Sequence, residues 1–252
     1  MTPTVREVSL TNPGDPPNSC GISADCALQA CHTLVDMPSR VRPIAHSHAC
    51  CVVREISSID RASRLLHAIA THDEGTYRHS VLVAQLAASF AEYLGLGDEH
   101  IARIVEAALL HDVGKLEVSA NLLNKREPLS TEELDKVHSH ALAGYKLLNA
   151  IGEYSEEVLR AVRHHHEKMD GSGYPDGLFG EEIPFVSRFI AVCDIYAALT
   201  EHRAYRTPLT TTESLRVMRG MRNKLDPEFF RRFQEFIQKA AKVEMPEAKN
   251  LP

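Results

Sequence analysis

The sequence predicts an all-α fold, and three observations carry that prediction. Apolar residues recur at helical spacing from about residue 59 onward. Helix-start signatures stand at the heads of those stretches. No convincing ladder of alternating apolar and polar residues is present, and no internal repeat. The elements follow in order. Residues 76–94 carry Leu82, Leu86, Phe90 and Leu94 on one face and end in LGLG, where Gly95 and Gly97 suit a helix stop. Residues 98–111 (DEHIARIVEAALLH) open on Asp98, the expected N-cap, and align Ile101, Ile104, Val105, Ala108 and Leu109. Ser130 and Glu133 form a capping box for one helix running to about residue 150. Ser155, Glu156 and Glu157 start a helix over 155–167, and Pro184 opens another that reaches about residue 201. Thr210 with Glu213 repeats the capping box, and Asp226-Pro227 reads as a cap plus first-turn proline before a last helix.

The chain has 252 residues, 44% hydrophobic and 25% charged, which suits one substantial globular domain. Its expected organisation is an N-terminal segment at 1–55, a helical domain at 59–240 and a C-terminal tail at 241–252. The first segment is poorly periodic and rich in proline. It holds Cys20, Cys26, Cys31, Cys50 and Cys51 with His32, His46 and His48. Those spacings do not match a CxxC…CxxC zinc pattern, so a loosely packed or partly disordered segment is favoured over a metal or redox site. A net charge of −6 argues against a nucleic-acid polymer as partner. No apolar run approaches the ~20 residues of a membrane span, and no signal-peptide core is visible. The expectation is a cytoplasmic protein with reduced cysteines and no membrane partner. Fourteen histidines beside no tryptophan is the first hint of metal.

The stretch HHHEKMDGSGYPDG, residues 164–177, sharpens that hint. On its helix the apolar stripe is Val158, Leu159 and Val162. His165 and His166 continue this inward face, while His164 falls on the line of Glu157, Arg160 and Ala161, the expected wet side. Taken alone, the inward pair reads rather as core histidines held by hydrogen bonds. It is not alone. HDVGK, residues 111–115, sets His111 and Asp112 at the end of an apolar helix. His79 and His140 lie on or beside buried helical faces, and Asp194 sits inside FIAVCDIYAAL, where a carboxylate is costly unless paired or metal-bound. Five segments thus direct an imidazole or carboxylate inward. A His/carboxylate set suits iron, manganese or another borderline metal, with zinc as an alternative. Seven ligands exceed what one ion uses, whereas two ions sharing Asp112 would use them. Such a dinuclear site activates a bridging water, with its pKa drawn down to about 7, and suits phosphoester hydrolysis.

HDVGK, HHEKMDGSGYP and DIYAALTEHRAYR together closely resemble the HD-GYP family of metal-dependent phosphohydrolases, from about residue 73 to 235. The resemblance implies a helical HD-domain bundle that hydrolyses the bacterial second messenger cyclic di-GMP to pGpG and on to GMP through a metal-activated hydroxide. It implies one ion on His79, His111, Asp112 and Asp194 and a second on Asp112, His140, His165 and His166. Iron or manganese is expected, with zinc, nickel, magnesium or calcium as alternatives. Asp112 and Lys115 are the implied catalytic residues. Lys115, Arg203, Arg206 and Tyr174 are implied substrate contacts. In the GYP loop, Gly171 and Gly173 permit tight turns, Asp170 holds the loop by hydrogen bonds, and Tyr174 and Pro175 line the cleft mouth or pack as a lid. The same loop is implied in contact with a signalling protein partner, and a homodimer is the default assembly. Two departures stand out. Gly75 occupies the position where some members place a third-metal glutamate, so two ions are expected. Ala197 occupies a position where many members carry an aspartate that pairs with the motif lysine, which leaves Lys115 without that partner. The alternatives are a weak or inactive cyclic-dinucleotide sensor or interaction module, and a hydrolase of another nucleotide.

Overall fold

The computed structural model describes residues 48–201 and 207–243. Among these, the chain is helical throughout: α1 (His48–Ser58), α2 (Asp60–His72), α3 (Glu74–Tyr93), α4 (Asp98–Leu110), a 3-10 turn (Val113–Glu117), α5 (Ala120–Leu123), α6 (Thr131–His138), α7 (His140–Ile151), α8 (Glu156–His164), a second 3-10 turn (Gly180–Glu182), α9 (Phe185–Thr200), α10 (Thr211–Gly220) and α11 (Pro227–Val243). The β pairing is confined to one isolated bridge between Asp170 and Phe179 among the described residues. No helix among them is long and apolar enough to cross a membrane.

α3 is the central helix. From Val81 to Ala91 it is buried on nearly every side, as its run of alanines and small polar residues allows neighbours to approach closely. It packs on α4, α9, α1 and α2. Phe90 ties it to α9 and α11, with ring centroids 4.9 Å from Phe189 and 5.1 Å from Phe233. The bundle starts earlier than its periodicity suggests. α1 begins at His48, within the stretch read as irregular, and buries Val52, Val53 and Ile56 against the core.

The expected start signals act as caps. Ser130 and Thr210 each complete a capping box with Glu133 and Glu213. Asp226 accepts from the backbone N–H of Glu228 and Phe229, both at 3.0 Å. Two boundaries differ from the sequence reading. Gly97, not Asp98, is the N-cap of α4, and Asp98 stands in the first turn. The helix expected from 131 to 150 breaks at Ser139 into α6 and α7. Ser139 donates its hydroxyl to the Lys136 carbonyl at 2.7 Å, which satisfies an end carbonyl of α6 as α7 begins at His140.

Candidate metal centre

Helix ends bring the site together. His111 caps α4 and Asp112 follows it; His140 is the first residue of α7; His165 caps α8; His79 and Asp194 come from within α3 and α9. All six are between 1 and 8% exposed, and His166 is half-buried. Their ligand atoms fall into two groups, each within 4.8 Å of one another: His79, His111 and Asp194, and Asp112, His140, His165 and His166. Asp112 stands between them. Its Oδ2 lies 3.3 Å from His111 Nε2, and its Oδ1 lies 3.2 Å from His140 Nε2. The groups approach this closely because Gly114 has no side chain. A Cβ there would sit 1.9 Å from the His140 carbonyl oxygen and 2.4 Å from the Gly144 nitrogen.

The imidazoles are oriented for ligation. His111, His140 and His165 each place Nδ1 at 2.6–2.7 Å from the carbonyl three residues earlier, on Ala108, Val137 and Val162. Donation from Nδ1 fixes the tautomer and leaves Nε2 facing inward. Those inward atoms are poorly served by the protein alone. His111 Nε2 and Asp112 Oδ1 are buried with no hydrogen-bond partner. His140 Nε2 and His165 Nε2 face one another at 3.2 Å, while each ring already uses Nδ1 on a backbone carbonyl. Two opposed lone pairs beside an unpartnered carboxylate oxygen constitute an anionic cavity that a cation relieves. The donor set therefore fits divalent metal, and an all-imidazole and carboxylate set carries no preference as strong as thiolate would impose.

Charge differs between the two groups. Burial by itself would depress His79, but Asp194 at 2.8 Å from Nε2 and Glu201 at 2.9 Å from Nδ1 outweigh it and raise it to about 9. The His79 contact in turn overcomes burial at Asp194 and holds its carboxyl far below the usual carboxylate range. Burial, then the neighbouring imidazoles, pushes His165 and His166 well below the ordinary histidine value. Burial opposes the charge on Asp112, yet Lys115 and His111 hold its carboxyl well down.

Lys115, half-buried in the 3-10 turn, places Nζ 2.6 Å from Asp112 Oδ2. The sequence reading left this lysine without its aspartate partner; the structure supplies Asp112 instead. Ala197 is fully buried among apolar residues of the core. Gly75 lies at the start of α3. Arg203 and Arg206 lie outside the described residues, as do Cys20, Cys26, Cys31, His32 and His46 of the N-terminal segment.

The GYP loop closes over the second group. Tyr174 packs on His166, tilted at 36° with centroids 4.8 Å apart, and Pro175 follows it through a cis peptide bond. Asp170 Oδ1 accepts from the Ser172 N–H at 3.0 Å and from its hydroxyl at 2.6 Å. Gly171 adopts φ +74, and a Cβ on Gly173 would sit 2.4 Å from Glu167 Cα, so the loop can lie directly on the end of α8. His164 corrects the sequence reading. It is buried, because Asp176 on this returning loop covers its face and lies 2.8 Å from its Nε2. Helical phase alone cannot see a loop that folds back. Two further residues escaped the sequence reading. Glu167 is buried and accepts the N–H of Asp176, Gly177 and Leu178 at 2.7–3.1 Å, anchoring the loop. Glu201 meets His79; its place seven residues after Asp194, on the same helical line, was the available signal.

Comparison with known proteins agrees with this architecture. Residues 64–229 match the HD domain family. A cyclic di-GMP phosphodiesterase of Pseudomonas aeruginosa is 38% identical over 195 residues, covering 76% of this chain and 47% of that protein. The cyclic di-GMP phosphodiesterase response regulator RpfG of Xanthomonas campestris is 39% identical over 168 residues, 66% of this chain and 44% of its own length. A 3'3'-cGAMP-specific phosphodiesterase of Vibrio cholerae is 35% identical over 66% of this chain and 38% of its own length. The chain thus spans less than half the length of each of these relatives. Among solved structures, an HDG"Y"P protein from Bdellovibrio bacteriovorus superposes with a TM-score of 0.59 at 17% identity, over 86% of this chain and 74% of that one. With His111-Asp112 at the bridging position and the GYP loop packed over it, the chain belongs to the HD domain family, in its HD-GYP form.

Proposed function

We propose that this chain is a phosphodiesterase that opens cyclic di-GMP to linear pGpG, with GMP as the product of a second cut. One observation carries the reading: two histidine–carboxylate groups meet at Asp112, whose two oxygens face different groups. The names of the relatives at 38 and 39% identity support the substrate class. His79, His111, Asp112 and Asp194 would hold one divalent ion, and Asp112, His140, His165 and His166 the other, iron or manganese by preference. Bound ions supply Lewis acidity toward a phosphodiester and lower the pKa of nearby water. The chain's own residues do the rest. Asp112 keeps the two groups in register through its paired oxygens. Lys115, beside Asp112, brings a cation within reach of a phosphate oxygen and carries protons suited to the departing alkoxide. Tyr174 and the GYP loop cover His166 and exclude bulk water from that side. Arg203 and Arg206 follow α9 in sequence, and the family resemblance assigns them to the phosphate. We take the protein to act in bacterial signalling in the cytoplasm, with the GYP loop as a partner-facing surface and a homodimer as its assembly.

A second reading, hydrolysis of 3'3'-cGAMP, draws support from the Vibrio cholerae relatives named for that activity. The test is anaerobic incubation with cyclic di-GMP and 3'3'-cGAMP in parallel, with Fe²⁺ or Mn²⁺, and with Asp112→Ala as control. The expected result is cyclic di-GMP cleavage that Asp112→Ala abolishes. Preferential cleavage of 3'3'-cGAMP would shift the assignment to the second reading. No turnover of either by protein carrying two ions would replace hydrolysis with sensing.

A further inference from the structure

Three imidazoles of the centre are tied to backbone carbonyls through Nδ1, and His79 is tied through Glu201. His166 is the exception. Among the described residues no hydrogen bond reaches its ring nitrogens, so only ring packing orients it. The ring lies 4.0 Å from His165, tilted at 45°, 5.0 Å from His140, edge-on at 80°, and 4.8 Å from Tyr174 at 36°. Tyr174 has a further ring neighbour. His138, the last residue of α6, stacks on it at 4.0 Å and 21°. The three rings His138, Tyr174 and His166 form a column that runs from the half-exposed end of α6 to the second ligand group.

We propose that His138 is a positioning residue for that group: it holds the Tyr174 ring against His166 and so sets the direction of the His166 nitrogens. The inference rests on the two-ion reading above. The rest of the GYP loop does not need His138 to stay in place. Glu167 holds it by three backbone N–H groups, Asp170 closes its turn, and Gly173 seats it on α8. What His138 adds is one face of contact for Tyr174, the ring of the loop that packs on His166 beside His165 and His140. A ligand whose imidazole must be ordered at the moment of binding costs affinity, whereas a preordered one does not. His138 is half-buried at a helix end, so its replacement leaves the core intact.

The experiment compares full-length wild type, His138→Ala and His138→Phe, titrated anaerobically with Mn²⁺ while bound and free metal are counted. An aromatic contact of this kind predicts about tenfold weaker binding of one ion in His138→Ala. The other ion should bind within about twofold of wild type, and His138→Phe, which keeps the stack without the nitrogens, should restore the first. Unchanged binding of both ions in His138→Ala overturns the proposal. So does equal weakening of both, or failure of His138→Phe to rescue. A second measurement needs no metal. Nitrogen-15 spectra of the metal-free protein, with the His166 signals assigned by His166→Gln, should show one sharp His166 ring in wild type and His138→Phe. Exchange broadening is expected in His138→Ala, and a sharp, unshifted His166 ring there overturns the proposal. Wild type that takes up fewer than two ions would instead defeat the two-ion reading, and the metal-free spectra would still decide whether His138 orders His166.

Discussion

The two ligand groups share Asp112 and are built on opposite plans. His79, His111 and Asp194 come from α3, the end of α4 and α9, the helices that pack at the centre of the core. His140, His165 and His166 come from the first residue of α7 and the end of α8, and a loop roofs them. Charge runs the same way. Carboxylates surround His79 and raise it to about 9, whereas burial and neighbouring imidazoles depress His165 and His166. The first group is therefore fixed by core packing and adds carboxylates of its own, whereas the second adds only imidazoles to the shared Asp112 and depends on its roof. Two ions bound as proposed would therefore not be held with equal security, and perturbing the core or the loop should separate them.

Asp112→Ala should have the largest effect. Both groups lose their common carboxylate, and hydrolysis should fall by about 10³-fold or more, since metal charge stabilisation is worth several kcal/mol. Metal counting on the variant checks it: one ion retained at full affinity would break the idea of a shared ligand. Gly114→Ala comes next. Its Cβ would strike the His140 backbone, so a loss of about 1–3 kcal/mol in urea unfolding is expected, with both ions weakened. Gly173→Ala is its counterpart on the loop, where the clash is with Glu167 and Lys168. It should weaken the second ion and spare the first; weakening of both to the same degree would erase the contrast between core and roof. Glu201→Ala sharpens the contrast from the other side. Losing the carboxylate that orients His79 should cost the first ion about 10- to 100-fold in affinity, read by the same titration, with the second unaffected.

The smallest effect concerns how the roof is pinned. Arg163 donates to Asp176 through two nitrogens at 2.7 and 2.8 Å, and with His164 it lowers that carboxyl to about 2. A depressed carboxylate contributes stability above its unfolded value of about 3.9 and loses it as pH falls through about 2. Asp176→Asn should therefore be less stable than wild type by about 1 kcal/mol or less near pH 6, as befits an exposed pair. The difference should shrink between pH 4 and 2. Urea midpoints across that range check it, and a gap that persists at pH 2 would assign the contribution of Asp176 to something other than its charge.

Much of this centre was legible in the chain. His79, His140, His165 and His166 are legible because helical phase relates a residue to its own apolar stripe, Asp194 because a carboxylate inside an apolar run needs a partner, and the caps at Ser130, Thr210 and Asp226 because capping is local. Of the readings that changed, one turns on a loop folding back over its helix and another on a side-chain pair only three residues apart. His164 looked wet until the loop brought Asp176 across it, and Lys115 looked partnerless until Asp112 turned toward it. The break at Ser139 was missed because the apolar spacing runs on through it.

By itself, the sequence determined the helical class, most helix starts and most of the side chains that turn inward, since each depends on neighbours within a few residues along the chain. Only the tertiary structure decided how those side chains group. It set the two oxygens of Asp112 toward different histidines, put Glu201 on His79, and laid Tyr174 between His138 and His166. The physical reason is that grouping depends on how closely helices can approach. That distance is governed by backbone contacts such as Gly114 on His140, which no periodicity along a single helix encodes.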